Sequence, residues 1–118
     1  MTNTFRSQME SNRPMEKRKL QTTTPLLEYR KSIDNLDAAL IALLAERFKV
    51  TKSIGLYKAV NNLAEEDPKR ETRQMAKINA LSKKAGLRPK TARSVIRVII
   101  DQVIAEHKEI RKGYFDNQ

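Results

Sequence analysis

Residues 26–60 read LLEYRKSIDNLDAALIALLAERFKVTKSIGLYKAV and decide the fold. Apolar side chains recur here every three or four residues, which is the pattern of a helix that packs one face against other helices. We call this repeat the seam, and its ten positions, eight of them apolar, are Leu26, Arg30, Ile33, Leu36, Leu40, Leu43, Arg47, Val50, Ile54 and Tyr57. The stretch therefore predicts one long helix with two arginines on its packed face.

The two arginines of the seam, Arg30 and Arg47, are its most informative residues. A buried guanidinium is costly without an anionic partner, because it does not release its proton as a lysine or a glutamate can. Two kinds of partner are open for Arg47. One is an acidic side chain elsewhere in the fold, and the other is a ligand that carries carboxylate or phosphate.

The composition favours a single helical domain. The chain has 118 residues, with three glycines, three phenylalanines and no tryptophan, which suits one bundle built on small aliphatic residues. Cysteine is absent, which excludes disulfides, thiolate metal ligands and cysteine nucleophiles. The N-terminus has no signal-peptide pattern and no apolar run is long enough to span a bilayer, so we expect a soluble, cytoplasmic protein.

The formal net charge of +10 raises the alternative of a basic helical nucleic-acid-binding protein. Residues 1–25 carry five basic residues against two acidic ones, and residues 26–118 carry nineteen against twelve. In the second part both signs are interspersed along the predicted helices, as on an ordinary solvated surface. Binding to nucleic acid also gives no reason for arginines within an apolar seam, so we expect anionic small molecules rather than nucleic acid as partners.

The first predicted helix is unusually long. It opens at Pro25 with Thr24 as N-cap and runs to about Val60, which is a rod of about 50 Å at 1.5 Å per residue. A chain of this size has too few remaining residues to cover such a rod, so the length predicts a second copy. The polar, aperiodic residues 1–24 are predicted to be a disordered basic tail.

Two shorter helices follow, which makes the predicted fold class all-α. Asp67 and a following proline predict the start of a helix over about residues 68–85, and Gly86 is its expected terminator. Pro89 begins the third helix, whose apolar face includes His107. The predicted architecture is therefore three helices with one very long N-terminal helix.

Arg47 and Lys58 form the most suggestive charge pair. They are eleven residues apart, close to three helical turns, so they share a face with their Cα atoms about 16 Å apart. Two long side chains at this distance leave a gap suited to a small dianion. Arg30 lies seventeen residues before Arg47, about 25 Å away along the same helix. It can reach the gap between Arg47 and Lys58 only from the second chain of an antiparallel dimer. The spacing predicts two shared sites.

Other candidates allow a plain structural interpretation. Asp67 is an ordinary N-cap, whereas Glu71, four residues later, continues the line toward the apolar stripe of its helix and is expected to point inward. A histidine at the position of His107 is more often a hydrogen-bonded core residue than a catalytic one. No metal-ligand cluster, glycine-rich phosphate loop or nucleophile triad is present, so the sequence predicts neither a metal nor a cofactor.

Four charged runs resemble those of the all-helical chorismate mutases, the AroQ class, in their monofunctional type. The runs are RKSIDNLD at residues 30–37, LLAER at residues 43–47, GLYK at residues 55–58 and DPKRE at residues 67–71. The resemblance implies an intertwined helical homodimer with two active sites. It also implies an isomerase that converts chorismate to prephenate by a Claisen rearrangement, on the route to phenylalanine and tyrosine. On this basis residues 25–114 are the expected chorismate mutase-like helical domain.

The same resemblance implies roles for the catalytic residues. Arg30 would be donated across the dimer, while Arg47 and Lys58 would bind the substrate carboxylates. Lys58 would also reach the ether oxygen of the breaking bond. His107 stands where the family often has glutamine, and a ring N–H could serve as the second donor to that oxygen.

The implied wall of the site comprises three charged residues and one apolar residue. Glu71 would accept the ring hydroxyl of chorismate, with Asp67 and Arg70 beside it. Val103 replaces a serine that is common in the family, which removes one hydrogen bond. Because the pocket wall decides the substrate, isochorismate pyruvate-lyase and amino-deoxychorismate mutase stay open as alternatives on the same scaffold, as does an inactive or regulatory relative.

Overall fold

A computed structural model describes the backbone of residues 15–118 and the side chains of residues 24–118. Within that range the chain forms three α-helices and no strand: α1 (Met15–Val60), α2 (Pro68–Ala85) and α3 (Pro89–Asp116). The all-α prediction is confirmed. Among the described residues, none of the helices has the combination of length and apolar character that is needed to cross a membrane.

The beginning of α1 differs from the prediction. The helix begins at Met15, so Pro25 lies inside it and Thr24 is not its N-cap. Residues 15–21, MEKRKLQ, are mostly strong helix formers, and an internal proline removes one backbone hydrogen bond without necessarily ending the helix. The backbone of residues 15–24, which were predicted to belong to a disordered tail, is thus helical in the structure, and residues 1–14 lie outside the described part of the chain.

The predicted boundaries of α2 are confirmed by their capping geometry. The Asp67 side chain accepts a hydrogen bond from the backbone N–H of Arg70 at 3.1 Å, which satisfies one of the free donors at the helix N-terminus. At the other end Gly86 has a φ of +75°, the left-handed conformation that glycine adopts without steric cost. Its N–H donates to the carbonyl oxygen of Lys83 at 3.2 Å.

Two compact units meet in sequence between Ala45 and Glu46. In the second unit α2 packs against α3, and Arg93 Nη1 of α3 donates to Asn79 Oδ1 of α2 at 2.7 Å. The buried residues of this unit are small or aliphatic, apart from one histidine and one serine. They are Gly55, Ala59, Ser82, Ala92, Ile100 and His107.

The seam is largely solvent-exposed in a single copy of the chain, so the described residues of one chain do not supply the packing predicted for this face. Leu36 is 65% exposed, Leu43 68% and Tyr57 63%. Of the ten seam positions, only Arg47 is half-buried. In the second unit the less exposed positions of α1 include Thr51, Gly55 and Ala59, so the face directed toward α3 is offset from the seam.

Candidate active site

A cavity of about 330 Å³ lies within the second unit. It is formed by the last turns of α1, the connection to α2, the first turns of α2 and the middle of α3. Seven of the eight predicted site residues line it, namely Arg47, Lys58, Asp67, Arg70, Glu71, Val103 and His107. The eighth, Arg30, is exposed in the first unit and is not a lining residue. Six further residues line the cavity and were not predicted from the sequence to belong to the site. They are Thr51, Ile54, Glu65, Gln74, Ile100 and Ile104.

Arg47 has no anionic partner among the described residues. Its Nη1 atom is buried and lacks a hydrogen-bond partner there, and no carboxylate of the described chain forms an ion pair with it. A buried guanidinium N–H that is left unpaired is costly. Of the two kinds of partner left open by the sequence, an acidic side chain is absent among the described residues, so the geometry there favours an anionic ligand.

Lys58 lines the same cavity as a second cation. Its Nζ atom donates to the main-chain oxygen of Glu65 at 3.4 Å, which is a long contact with a neutral acceptor. Its charge is therefore not balanced by a carboxylate within the described chain. Together Arg47 and Lys58 present two positive charges to one cavity, as a dianionic ligand requires.

His107 is anchored through one ring nitrogen and unpaired at the other. The residue is 3% exposed, with Nε2 2.7 Å from the carbonyl oxygen of Thr51, whereas Nδ1 is buried without a partner among the described residues. A Cβ atom at Gly55 would lie 2.6 Å from the ring Cδ2, so the ring occupies space that only glycine leaves free. The interpretation of His107 as a hydrogen-bonded core histidine thus holds for Nε2 but not for Nδ1.

The hydrogen bond to Thr51 restricts what His107 can donate. Because a carbonyl oxygen only accepts, Nε2 must carry the hydrogen of this bond. In the neutral ring Nδ1 is then an acceptor, and it becomes a donor only when the ring is charged. In this geometry a neutral His107 therefore has no ring N–H left to donate to a ligand.

The acidic side of the cavity is held by contacts from α3. Glu71 Oε1 accepts a hydrogen bond from Arg97 Nη2 at 2.8 Å, and Arg97 Nε donates to Asp101 at 3.2 Å. The hydrogen bond to Glu71 raises the pKa of Arg97. Asp67 both caps α2 and lines the cavity, so its structural and site interpretations are compatible.

Arg97 was not recognised from the sequence. Its four-residue spacing from Asp101 is a visible signal, but that spacing indicates only a surface ion pair on one helix. The contact with Glu71 joins residues twenty-six positions apart, and no local pattern encodes it.

Comparison with known families decides what this arrangement belongs to. Residues 29–108 match the family described as chorismate mutase type II, which is more than half of the chain. The chain belongs to this family. The resemblance of the four charged runs to the all-helical chorismate mutases is therefore confirmed as to the family, and so is the all-helical fold class. The enzyme class, an isomerase of aromatic amino acid biosynthesis, is confirmed at the level of the family.

The chorismate mutase relatives are bifunctional proteins. The chain is 33% identical over 89 residues to the bifunctional chorismate mutase/prephenate dehydratase of Buchnera aphidicola subsp. Acyrthosiphon pisum, covering 75% of this chain and 23% of that protein. It is 37% identical over 92 residues to the protein of the same description from Aquifex aeolicus, covering 75% of this chain and 25% of the relative. The chain thus spans about a quarter of the length of these relatives.

Proposed function

We propose that this protein is a chorismate mutase that rearranges chorismate to prephenate. The observation that carries the proposal is the buried Nη1 of Arg47, which has no hydrogen-bond partner among the described residues and belongs to a residue that lines one cavity with Lys58. Chorismate is a dianion, and its two carboxylates match two uncompensated cations. Family membership supports the same substrate.

The proposed mechanism depends on positioning and electrostatics. The rearrangement breaks one carbon–oxygen bond and forms one carbon–carbon bond within a single molecule, so no group is transferred to the protein. Arg47 and Lys58 hold the substrate in the folded conformer in which the two reacting carbons are close. As the ether bond lengthens, negative charge grows on its oxygen, and a fixed donor from Lys58 stabilises that charge.

The remaining lining residues are proposed to orient the ring of the substrate. Glu71, which is held by Arg97, accepts a hydrogen bond from the ring hydroxyl of chorismate. Asp67 and Arg70 form the polar wall beside it. Val103 contributes an apolar surface where it lines the cavity. This division leaves the cations on α1 to bind the carboxylates and the ether oxygen.

A homodimer is part of the proposal because the site lacks its third predicted cation. Arg30 does not line the cavity, and the seam to which it belongs exposes large apolar side chains such as Leu36 and Leu43. Exposed apolar surface of this kind is typical of a protein interface. We place a second copy on the seam, with its Arg30 completing the site, and we place the enzyme in the cytoplasm.

A direct assay with the purified protein tests the function. We expect chorismate to disappear with formation of prephenate and without release of pyruvate. Release of pyruvate from isochorismate, with chorismate untouched, would instead assign the lyase reaction to this scaffold. Salt-dependent binding to DNA without turnover of either compound would favour the nucleic-acid alternative.

The variant His107→Gln tests the role of His107. If the charged ring donates Nδ1–H to the ether oxygen, the neutral amide donor of glutamine is expected to lower kcat by about tenfold, because a hydrogen bond from a charged donor is the stronger one. A kcat equal to that of the wild type would exclude the charged ring from the mechanism.

A further inference from the structure

Arg111 makes the most extensive polar contacts to the connection between α1 and α2. Its position lies beyond the family match, which ends at residue 108, and it was not among the predicted site residues. It sits four residues after His107 on α3, so both point from the same face of that helix toward α1. A residue in this place can influence the cavity without lining it.

All three nitrogens of the Arg111 guanidinium are engaged. Nε lies 3.2 Å from Glu65 Oε1, and Nη1 donates to Asn62 Oδ1 at 3.2 Å. Nη2 donates to the main-chain oxygen of Lys58 at 3.4 Å and also to that of Leu63. The side chains of Arg111 and Glu65 are 23% and 25% exposed, so this ion pair is substantially shielded from solvent.

Glu65 connects this cluster to the cavity. Glu65 lines the cavity together with Lys58, and its main-chain oxygen accepts the hydrogen bond from Lys58 Nζ. Its carboxylate, however, is paired with Arg111 rather than with Lys58. Because Glu65 lines the same cavity and contacts Lys58 Nζ through its main-chain oxygen, its carboxylate is an available competitor for that ammonium group.

We infer that Arg111 is a positioning residue that withholds the Glu65 carboxylate from Lys58 and so keeps Lys58 available to an anionic substrate. The inference rests on the proposed function, because it concerns how that substrate is bound. Without Arg111, the freed carboxylate would pair with Lys58, and chorismate would have to displace it. If Arg111 merely fixed the connection between α1 and α2, its substitution would change KM by the same factor whether or not position 65 carries a charge.

A double-mutant cycle separates these two roles. We expect R111Q to raise the KM for chorismate about tenfold or more, with a smaller change in kcat, because an internal anion competes with the substrate. In the E65Q background the same R111Q change is expected to raise KM by less than about threefold, because the competing charge is gone. The matched control is K112Q, which removes a positive charge from the exposed neighbouring position of α3 and is expected to leave KM and kcat unchanged.

Thermal unfolding of each variant shows whether it is folded at the assay temperature. If R111Q does not fold, R111K retains the charge but loses the fork of donors, and it is expected to raise KM by a smaller amount that E65Q again reverses. Equal KM increases for the Arg111 substitution in both backgrounds, or no increase in either, would overturn the inference while the wild type still rearranges chorismate. No turnover by the wild type would overturn the proposed function and this inference with it.

Discussion

Lys58→Ala is expected to lower kcat by at least about 100-fold, the usual cost of removing one donor to an oxyanion that develops in the transition state. Lys58 lines the cavity, and within the described part of the chain its Nζ makes only a long contact to the Glu65 carbonyl, so the substitution removes little from the fold. Measuring the rate of chorismate disappearance at saturating substrate separates this loss from weaker binding.

The matched control for Lys58→Ala is Lys52→Ala. Lys52 is an exposed residue of the same helix and carries the same charge, but it does not line the cavity. We expect its kcat to stay within about twofold of the wild type, as for most surface substitutions. Turnover near the wild-type value in Lys58→Ala would remove Lys58 from the mechanism.

Mixing two inactive variants, Arg30→Ala and Arg47→Ala, is expected to restore activity. In the proposed dimer each site takes Arg47 from one chain and Arg30 from the other, so a heterodimer of the variants contains one intact site and one site that lacks both arginines. Random exchange of subunits makes half of the dimers heterodimers, and the mixture should recover about a quarter of wild-type activity. Each variant alone is expected to lose about 100-fold or more in kcat/KM, because the charged partner of a substrate carboxylate is removed.

A second mixture provides the control for this experiment. Arg47 and Lys58 line the same cavity of one chain, so a heterodimer of Arg47→Ala and Lys58→Ala has a defect in each of its sites. That mixture is expected to stay inactive. Recovery in both mixtures, or in neither, would contradict the shared site, provided that mass spectrometry shows that the subunits have exchanged.

The spacing by helical turns predicted Arg47 and Lys58 as a pair, whereas Arg70 and Val103 were assigned only through the resemblance to the all-helical chorismate mutases. Seven predicted residues line one cavity, and they do so because α1 holds Arg47 and Lys58 on related faces while the capped start of α2 brings Asp67, Arg70 and Glu71 together. The start of α1 was predicted wrongly at Pro25 because a local signal was given too much weight. A proline is a strong local signal for a helix start, but it is tolerated inside a helix whose preceding residues favour the helical state.

The sequence by itself determined the family, the all-helical class, the boundaries of α2 and the beginning of α3, since caps, prolines and glycines act within one helical turn of their own position. Only the tertiary structure decided which atoms are left to bind a ligand. The contacts of His107 with Thr51, of Arg97 with Glu71 and of Arg111 with Glu65 join different helices or their connections. Such contacts depend on how the helices pack, and packing alone leaves Arg47 Nη1 buried and unpaired among the described residues.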